Sequence, residues 1–369
     1  MKTESDRVAG GINKRVALIV GSTGIVGGNL ATLLIERGWT VHGIARKPGS
    51  IKSVIPVTAD LLKLSRLVTA LKDVAPTHVF FSTWLRQPTE AQNIAVNGEM
   101  IENLFAALRG KSSLQHAALV TGTKHYLGPF EAYGQNASET PFRENAPRLP
   151  VPNFYYTQED VLLREAAAHG FAWTVHRPHT IVGYARGNAM NMGQTLAVYA
   201  SLCRESREPF IFPGSREQWN FLTDVTDARI LAQQLLWAAT TPTAQRQAYN
   251  ITNGDFFRWR WLWPQIASYF GLEWQGPPEN GSLPLEPRMA DAAKRWKTLA
   301  AKHGLAESDV NQLVSWWHAD GDLGRSIECV NDMTESRVRG FCAFQPTPAS
   351  FFDLFDRLRA ERLIPTSVI

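Results

Sequence analysis

Apolar and polar positions alternate in two patterns along the first half of the chain. Continuous apolar runs of strand length, such as Val16–Val20, are typical of parallel strands that are buried on both faces of a sheet. Between these runs, apolar side chains recur at helical spacing, as they do within residues 30–35. The alternation continues to about residue 180 and predicts an α/β fold with a Rossmann-type, doubly wound parallel sheet.

The same patterns set the bounds of the predicted elements. The strands are Val16–Val20, Thr40–Ala45, 54–59, 77–83, His116–Val120, a sixth that ends before residues 176–181, and one at 248–252 that rejoins the sheet. The later predicted helices are one that begins near Asn153 and two more at 192–203 and 225–238. The segment 276–284 is rich in proline and glycine, so we expect a loop before the last helices.

This order of elements predicts two domains and a tail. A chain of 369 residues is long enough for a large α/β domain and a smaller lobe. The predicted parts are a flexible N-terminal tail at 1–14, a dinucleotide-binding Rossmann domain at 15–182 that is rejoined by about 222–255, and a smaller, mainly helical substrate-binding lobe at 183–221 and 256–369.

A glycine-rich segment lies between the first strand and an amphipathic helix. Its glycines have the spacing G-x-x-G-x-x-G: Gly21 permits a tight turn, Gly24 lets backbone amides approach a pyrophosphate, and Gly27 lets the helix pack closely on the strand. The N-terminus of the helix attracts the anion. This context predicts a dinucleotide site, with cofactor contacts from Gly21, Thr23, Gly24, Ile25, Val26 and Gly27.

The end of the second strand indicates which dinucleotide is bound. An NAD site usually has an Asp or Glu there for the ribose 2′-hydroxyl, whereas an NADP site uses Arg for the 2′-phosphate. This chain has Arg46 and Lys47, and no acid occurs in residues 43–49. A solvated pair of surface cations would look the same in sequence, but the glycine loop favours NADPH/NADP+ as the cofactor.

Further cofactor contacts are expected at the ends of the other strands. Asp60 and Leu61 follow the third strand and suit the adenine end of the dinucleotide. Ser82 and Thr83 lie at the carboxyl end of the fourth strand, Trp84 follows that strand directly, and Thr121 follows the fifth. Open α/β sheets bind ligands at these carboxyl ends, although the ring of Trp84 would need a cover there.

Tyr155 is the candidate catalytic residue. In most short-chain dehydrogenases the lysine that supports the catalytic tyrosine lies four residues after it, but here that position holds Glu159. Lys124, just after the fifth strand, is the alternative cation, because the helix that carries Tyr155 packs beside this strand in doubly wound folds. A nearby ammonium would lower the pKa of the phenol from about 10, so the pair could hold an oxygen that gains charge as hydride arrives. A buried phenol and an unrelated surface cation are the alternative, and Glu159 is expected on the helix surface near the positive end of the helix dipole.

Composition excludes several classes of protein. A net charge of +4 without a basic block argues against a nucleic-acid partner. Three cysteines without ligand spacing argue against a metal site, and no apolar run is long enough for a membrane span. Residues 1–15 lack the apolar core of a signal peptide, so we expect a soluble, cytoplasmic protein without a membrane partner.

Aromatic residues are frequent in the last third of the chain. They form either the core of a well-packed lobe or an aromatic wall around an apolar ligand, and core is the commoner role for any one of them. The tryptophans in question are Trp259, Trp261, Trp263, Trp274, Trp296, Trp316 and Trp317.

Seven segments in a fixed order carry a resemblance to a known family. They are 21–27, 45–47, 77–84, 121–130, 153–160, 173–178 and 249–255. With these segments the chain resembles the progesterone 5β-reductase/iridoid synthase-like family, a divergent branch of the extended short-chain dehydrogenase/reductases. The resemblance runs from about residue 15 to the end, and the sequences KHY at 124–126 and NFYY at 153–156 are specific to this branch.

The resemblance implies NADPH-dependent reduction of the activated C=C bond of α,β-unsaturated carbonyl compounds. Hydride would go to the β-carbon, and Tyr155 with Lys124 would stabilise the enolate. Backbone groups of Pro178 and Ile181 would face the nicotinamide. The family's pocket positions correspond to Trp84, Phe130, Tyr133, Thr180 and Met190, with Phe341 or Phe344 from the C-terminal region.

These pocket positions imply an aromatic, mostly apolar cavity for a small apolar enone, either terpenoid or steroid-like. Thr180 stands where plant members are expected to have asparagine, which puts a steroid preference in doubt. A second copy of the chain, in a homodimer, is the other partner considered.

Three other functions stay open at this point. A ketone or aldehyde reductase could use the same tyrosine and lysine to protonate an alkoxide. A sugar-nucleotide epimerase or dehydratase shares the extended architecture, but it predicts polar pocket positions and NAD. A catalytically silent, dinucleotide-sensing regulator would keep the glycine loop but could lose the tyrosine-lysine pair, which this chain retains.

Overall fold

The computed structural model describes residues 15–49, 51–135, 137–279 and 281–366. The predicted N-terminal tail, residues 1–14, lies outside the described residues. The strands are β1 (Val16–Val20), β2 (Thr40–Ala45), β3 (Ile55–Thr58), β4 (His78–Phe81), β5 (His116–Val120), β6 (Ala172–Pro178), β7 (Ile181–Val182), β8 (Phe210–Ile211), β9 (Thr226–Asp227), β10 (Gln247–Ile251) and β11 (Trp274–Gln275).

The helices follow the strands in alternation through the first half of the chain. They are α1 (Ile25–Glu36), α2 (Leu64–Leu71), α3 (Glu90–Leu108), α4 (Lys124–Leu127), α5 (Phe154–His169), α6 (Met192–Ser206), α7 (Arg216–Asn220), α8 (Ala228–Thr240), α9 (Trp259–Phe270), α10 (Leu285–Arg288), α11 (Ala292–His303), α12 (Trp316–Leu323), α13 (Thr334–Val338) and α14 (Thr347–Ala360). Short 3₁₀ turns cover Phe130–Ala132, Pro242–Ala244 and Val310–Gln312.

Seven strands of the described chain form one parallel sheet in the order β3-β2-β1-β4-β5-β6-β10. The predicted doubly wound Rossmann sheet is therefore confirmed. Because β1 pairs with β2 on one side and β4 on the other, the strand order reverses there and opens a crevice at the carboxyl ends. Two small pairs, β7 with β9 and β8 with β11, lie outside this sheet.

Helices cover both faces of the sheet, which explains the continuous apolar strands. Leu18 and Val20 of β1 pack in a cluster with side chains from α2, α3 and α5. Ala17 and Ile19 point to the opposite face, where they pack with side chains from α1 and α8. Alternate residues of one strand thus enter different cores, so both must be apolar.

A third core lies in the C-terminal half of the chain. It joins α6, α9, α11 and α14, and the side chains of Trp263 and Trp296 are fully buried in it. Trp263 stacks on Phe210 with ring centroids 4.0 Å apart, and its indole N–H donates to the Phe210 carbonyl at 2.9 Å. Core packing is therefore the role of these tryptophans, whereas Trp261 and Trp274 are exposed. The division into a cofactor domain and a substrate lobe stays a prediction.

No helix in the described part of the chain is both long and apolar enough to cross a membrane.

Candidate active site

A cavity of about 1160 Å³ opens along the carboxyl edge of the sheet. It lies between the turn after β1, the ends of β4, β5 and β6, and segments of the C-terminal half around α12. Most of the residues predicted from the sequence line it: Gly21, Thr23, Gly24, Ile25, Val26, Ser82, Thr83, Trp84, Thr121, Lys124, Phe130, Tyr133, Tyr155, Pro178, Thr180, Ile181 and Met190.

The turn after β1 has the shape that a dinucleotide phosphate needs. Gly21 has a φ of 87°, which is unfavourable for any residue with a Cβ. A Cβ on Gly27 would lie 2.8 Å from the carbonyl carbon of Gly21, so α1 can approach the turn this closely only with glycine there. α1 begins after Gly24 without a side-chain cap, which leaves its first amides and its positive dipole end available to an anion.

Arg46 and Lys47 are exposed directly after β2 and do not line the cavity wall. The same loop returns to the turn, since a Cβ on Gly49 would lie 3.7 Å from Cγ2 of Thr23. The loop that carries these two exposed cations therefore passes beside the turn that would hold the pyrophosphate.

Asp60 and Leu61 lie in the loop after β3, also outside the cavity wall. The Asp60 carboxylate accepts a hydrogen bond from the Leu62 amide at 3.0 Å, and the Leu61 carbonyl accepts one from Asn103 at 2.8 Å. These bonds stabilise the conformation of the loop itself, so both residues have a structural role that does not depend on a cofactor.

Phe341 and Phe344 do not line the cavity, contrary to the expectation from the resemblance. Phe341 is buried in the core with α1 and α8, where its ring lies 5.3 Å from that of Trp237. Phe344 is 59% exposed and packs near Gly254. The C-terminal half contributes Trp317 to the cavity instead, because α12 rather than the segment after α13 reaches over the sheet edge.

Tyr155 lies in the first turn of α5. Asn153 caps this helix by accepting a hydrogen bond from the Tyr155 amide at 3.0 Å. The hydroxyl lies at the end of β5, since a Cβ on Gly122 would be 3.3 Å from it. Burial raises the pKa of Tyr155, and Tyr133 and Glu90 raise it further. Lys124 is not among the groups that shift this pKa. Burial favours the protonated phenol, whose O–H group can donate a hydrogen bond.

Lys124 is buried at the start of α4, with its ammonium enclosed by aromatic rings. Its Nζ lies 4.3 Å from the ring centroid of Phe130, 4.5 Å from that of Phe154 and 5.8 Å from that of Tyr155. The counter-charge is Glu90, whose Oε2 lies 3.2 Å from Nζ. Lys124 and Tyr155 are thus neighbours in space, although 31 positions separate them in the sequence.

Sequence reasoning missed Glu90. The residue lies in the first turn of α3, where Thr89 caps the helix by accepting from the Gln92 amide at 3.3 Å. An acid in the first turn after a threonine cap is a common feature of solvated helices, so nothing in the local pattern separates Glu90 from a surface acid. Only its contact with Lys124 reveals the buried position.

Glu159 is buried rather than on the helix surface, which corrects the expectation from helix dipoles. Its carboxylate lies 3.0 Å from Nη2 of Arg148 and 3.7 Å from Nη2 of Arg177. Glu159 is therefore the anion that balances the buried guanidinium of Arg177. The neighbouring imidazole of His125 is neutral, because burial lowers its pKa to about 3 and Arg177 lowers that pKa further.

The cavity has an aromatic wall on the side of Tyr155. The Trp84 ring stacks on that of Phe154 at 5.4 Å, and Phe130 lies next to it at 6.2 Å. Arg86 covers Trp317, with its guanidinium carbon 3.5 Å from the ring centroid. This packing supplies the cover that Trp84 requires at the sheet edge.

The cavity lining also carries an ionic network that sequence reasoning did not identify. Thr180 donates a hydrogen bond to Asp322 at 2.9 Å, and Arg325 donates to both residues. Burial would raise the pKa of Asp322, but the Arg325 guanidinium beside it lowers that pKa to about 2. His179 accepts from Arg325 through Nε2 and donates from Nδ1 to Asp224 at 2.8 Å. Asp322 and Arg325 have the i, i+3 spacing of an ordinary helix-surface pair, which hid them in the sequence.

Among the described residues, no group of three or more His, Cys, Asp or Glu side chains is arranged to hold a metal ion.

The fold of the chain is shared by a solved structure. A short-chain dehydrogenase/reductase superfamily protein from Agrobacterium tumefaciens, solved with bound NAD, has a TM-score of 0.64 and 15% sequence identity over 95% of this chain and 98% of that one. At that identity the likeness concerns the fold alone. The class that the fold defines is therefore that of the Rossmann-fold proteins.

Sequence comparison resolves the family within this class. A family model described as a PRISE-like Rossmann-fold domain matches residues 60–365. Relatives include the (S)-8-oxocitronellyl enol synthase CYC2 of Camptotheca acuminata, 38% identical over 95% of this chain and 93% of that relative. A 3-oxo-Δ4,5-steroid 5β-reductase of Arabidopsis thaliana is 36% identical with the same coverage of both chains. The chain belongs to this progesterone 5β-reductase/iridoid synthase-like family, as its motifs predict.

Proposed function

We propose that the protein is an NADPH-dependent oxidoreductase that reduces the activated C=C bond of α,β-unsaturated carbonyl compounds. The observation that carries the proposal is that Tyr155 and Lys124 share one cavity with the glycine turn after β1. The names of two relatives, an 8-oxocitronellyl enol synthase and a 3-oxo-Δ4,5-steroid 5β-reductase, support the reaction class.

The cofactor proposed is NADPH. Its pyrophosphate would lie at the Gly21 turn and the N-terminus of α1, and its 2′-phosphate would meet Arg46 and Lys47 after β2. The exposure of both cations beside this turn suits a phosphate group that stays partly in solvent. When bound, the dihydronicotinamide supplies the hydride.

Tyr155 is proposed to bind the carbonyl oxygen of the substrate. As hydride reaches the β-carbon, the C=C electron pair moves toward the carbonyl and the oxygen becomes an enolate. A neutral phenol can donate a hydrogen bond to that oxygen throughout, and this donor is worth most where charge develops. Protonation at the α-carbon then gives the saturated carbonyl product.

Lys124 is proposed to stabilise the developing negative charge at a distance. Its ammonium is enclosed by the rings of Phe130, Phe154 and Tyr155, where the low local dielectric strengthens its field. This arrangement replaces the lysine one helical turn after the tyrosine in other short-chain dehydrogenases, a position that Glu159 holds here.

The substrate proposed is a small enone with an apolar skeleton, either terpenoid or steroid-like. Trp84, Phe130 and Tyr133 offer flat apolar surface next to the Tyr155 hydroxyl. Thr180 is held by Asp322 and Arg325 rather than facing an apolar neighbour, which limits how far an apolar skeleton extends in that direction. A cytoplasmic location and a homodimer stay predictions from the sequence.

A carbonyl reductase is the rival function, because a phenol and an ammonium would also support an alkoxide. The two reactions differ in the carbon that receives hydride. The test uses NADPH that carries deuterium at each C4 position in turn, with a panel of small, terpenoid and steroid enones. Mass spectrometry and NMR of the product then show which carbon received the deuterium and so distinguish the two reactions.

We expect deuterium at the β-carbon and an intact carbonyl group. Deuterium at the carbinol carbon would reject C=C reduction in favour of the rival. As the matched variant, Tyr155→Phe keeps the ring but removes the donor, so kcat/KM should fall about 10²–10³-fold while NADPH binding, followed by fluorescence, stays unchanged. Near-normal turnover of this variant would reject the proposed role of Tyr155.

A further inference from the structure

We propose that Glu90 is a positioning residue that keeps the Lys124 ammonium charged and fixed beside Tyr155. Its effect on activity rests on the function proposed above, but its effect on Lys124 does not. Glu90 does not line the cavity, so it acts on the reaction through Lys124 rather than through contact with substrate or cofactor.

Both carboxylate oxygens of Glu90 accept hydrogen bonds from residues around the active site. The residue is 5% exposed. Its Oε1 accepts a hydrogen bond from the Phe154 amide at 2.8 Å, and its Oε2 accepts from Asn93 at 3.1 Å and from Lys124 at 3.2 Å. Its own amide donates to the Glu131 carboxylate at 2.8 Å.

These contacts join the two proposed catalytic side chains through one carboxylate. Phe154 is the first residue of α5 and is covalently linked to Tyr155, while Lys124 begins α4. A second tie runs from the Asn153 side chain, which donates to the Lys124 carbonyl at 2.8 Å. Together, Glu90 of α3 and Asn153 hold the start of α4 against the start of α5.

The carboxylate also favours the charged form of Lys124. Burial among aromatic rings lowers the pKa of Lys124 overall, and the attraction and hydrogen bond from Glu90 offset part of this lowering. Glu131, from the 3₁₀ turn after α4, adds a smaller attraction, and Arg86, from the loop after β4, opposes both. Tyr155 of α5 is the other titratable group that Glu90 affects, and its pKa is raised.

A purely structural role is the alternative, and it predicts different behaviour. If Glu90 only held α3, α4 and α5 together, its replacement would lower stability and activity at all pH values alike. If Glu90 keeps Lys124 charged, its replacement lowers the pKa of Lys124. Because an ammonium is charged below its pKa, activity would then be lost at a lower pH than in the unmodified protein.

The test is Glu90→Gln in the full-length protein, with Glu90→Asp as the charge-conserving variant. For Glu90→Gln we expect the alkaline limb of kcat/KM to move to lower pH, with about a tenfold loss for each pH unit beyond the new pKa. Glu90→Asp should restore the alkaline limb even if kcat is reduced. Glu99→Gln, an exposed acid on the same helix without contact to Lys124, is the matched control and should change nothing.

A direct readout separates this proposal from the proposed function. In protein labelled with ¹³C at lysine Cε, the Lys124 resonance, assigned by Lys124→Arg, should titrate at lower pH in Glu90→Gln than in the unmodified protein. This shift in the Lys124 titration is expected even if the protein reduces no enone. The role of Glu90 and the proposed function are therefore tested independently.

Several results would overturn the role of Glu90. One is a Lys124 titration that is the same in Glu90→Gln and the unmodified protein, and another is a pH profile that falls without shifting. If Glu90→Gln does not fold, the Lys124 titration is measured in the unmodified protein alone. A Lys124 side chain that is neutral at neutral pH although Glu90 is present would contradict the proposal.

Discussion

The buried carboxylate of Glu159 gives a prediction that can be worked out from its contacts. Its side chain is 7% exposed and that of Arg177 is 6% exposed, with 3.7 Å between Oε1 and Nη2. Among the described residues, Glu159 is the only carboxylate within ion-pair distance of Arg177. Glu159→Gln keeps the shape of the side chain but leaves the arginine without a counter-charge.

The size of the effect follows from burial. Removing one partner of a buried ion pair costs about 3–5 kcal/mol, because the remaining charge stays desolvated. Arg177 keeps hydrogen bonds to the Tyr126 hydroxyl and the Glu144 carbonyl, both at 3.2 Å, which places the expected loss toward the lower value. Glu159→Lys, which restores the lysine position of other short-chain dehydrogenases, should cost more because it adds a third cation beside Arg148 and Arg177.

Asp160 is the matched control in the next position of the chain. It pairs with Arg148 at 2.7 Å, but its side chain is 62% exposed. An exposed ion pair contributes about 0–1 kcal/mol, so Asp160→Asn should be nearly neutral. Urea unfolding at neutral pH, followed by tryptophan fluorescence and near-UV circular dichroism, measures the free energy of unfolding for each variant, and equal slopes make the midpoints comparable.

Equal, small losses for Glu159→Gln and Asp160→Asn would refute the reasoning. They would mean that solvent reaches Arg177 and that Glu159 behaves as a surface acid. A more stable Glu159→Lys variant would contradict the buried charge balance directly.

Two further predictions concern the cofactor end. Arg46→Ala should raise the KM for NADPH more than the KM for NADH in steady-state kinetics, because only NADPH carries the 2′-phosphate, and equal changes would remove the phosphate argument. Gly27→Ala should weaken NADPH binding, measured by fluorescence titration, since its Cβ would lie 2.8 Å from the carbonyl carbon of Gly21. In Gly28→Ala the nearest atom to the new Cβ is the Ser22 carbonyl oxygen at 3.6 Å, so this control should bind normally, and similar affinities of the two variants would contradict the close approach.

Predictions from local pattern agree with the structure where the residues of an element determine its conformation by themselves. β1, β2 and β5 have the predicted bounds, and the continuous apolar run of β1 reflects its burial on both faces of the sheet. The glycine turn after β1 was equally readable, since its conformation requires glycine at position 21. Strand and helix order then placed Tyr155 and Lys124 at the same sheet edge, although their catalytic role stays a proposal.

Predictions failed where a side chain's role depends on contacts from distant segments. Phe341 and Phe344 were assigned to the pocket by resemblance, but the path of the chain after α13 puts the first in a core and the second in solvent. Glu159 looked like a surface acid because its helix position says nothing about the two arginines that approach it from other segments.

The sequence by itself determined the parallel sheet, the dinucleotide turn and the family, because these depend on periodicity and on residues adjacent in the chain. Only the tertiary structure decided how charge is balanced around Tyr155. Glu90 of α3 pairs with Lys124, Glu159 pairs with Arg177, and Asp322 pairs with Arg325 in the cavity lining. A buried charge needs a partner in space, and in two of these three pairs the partner is distant in sequence, so local pattern cannot identify it.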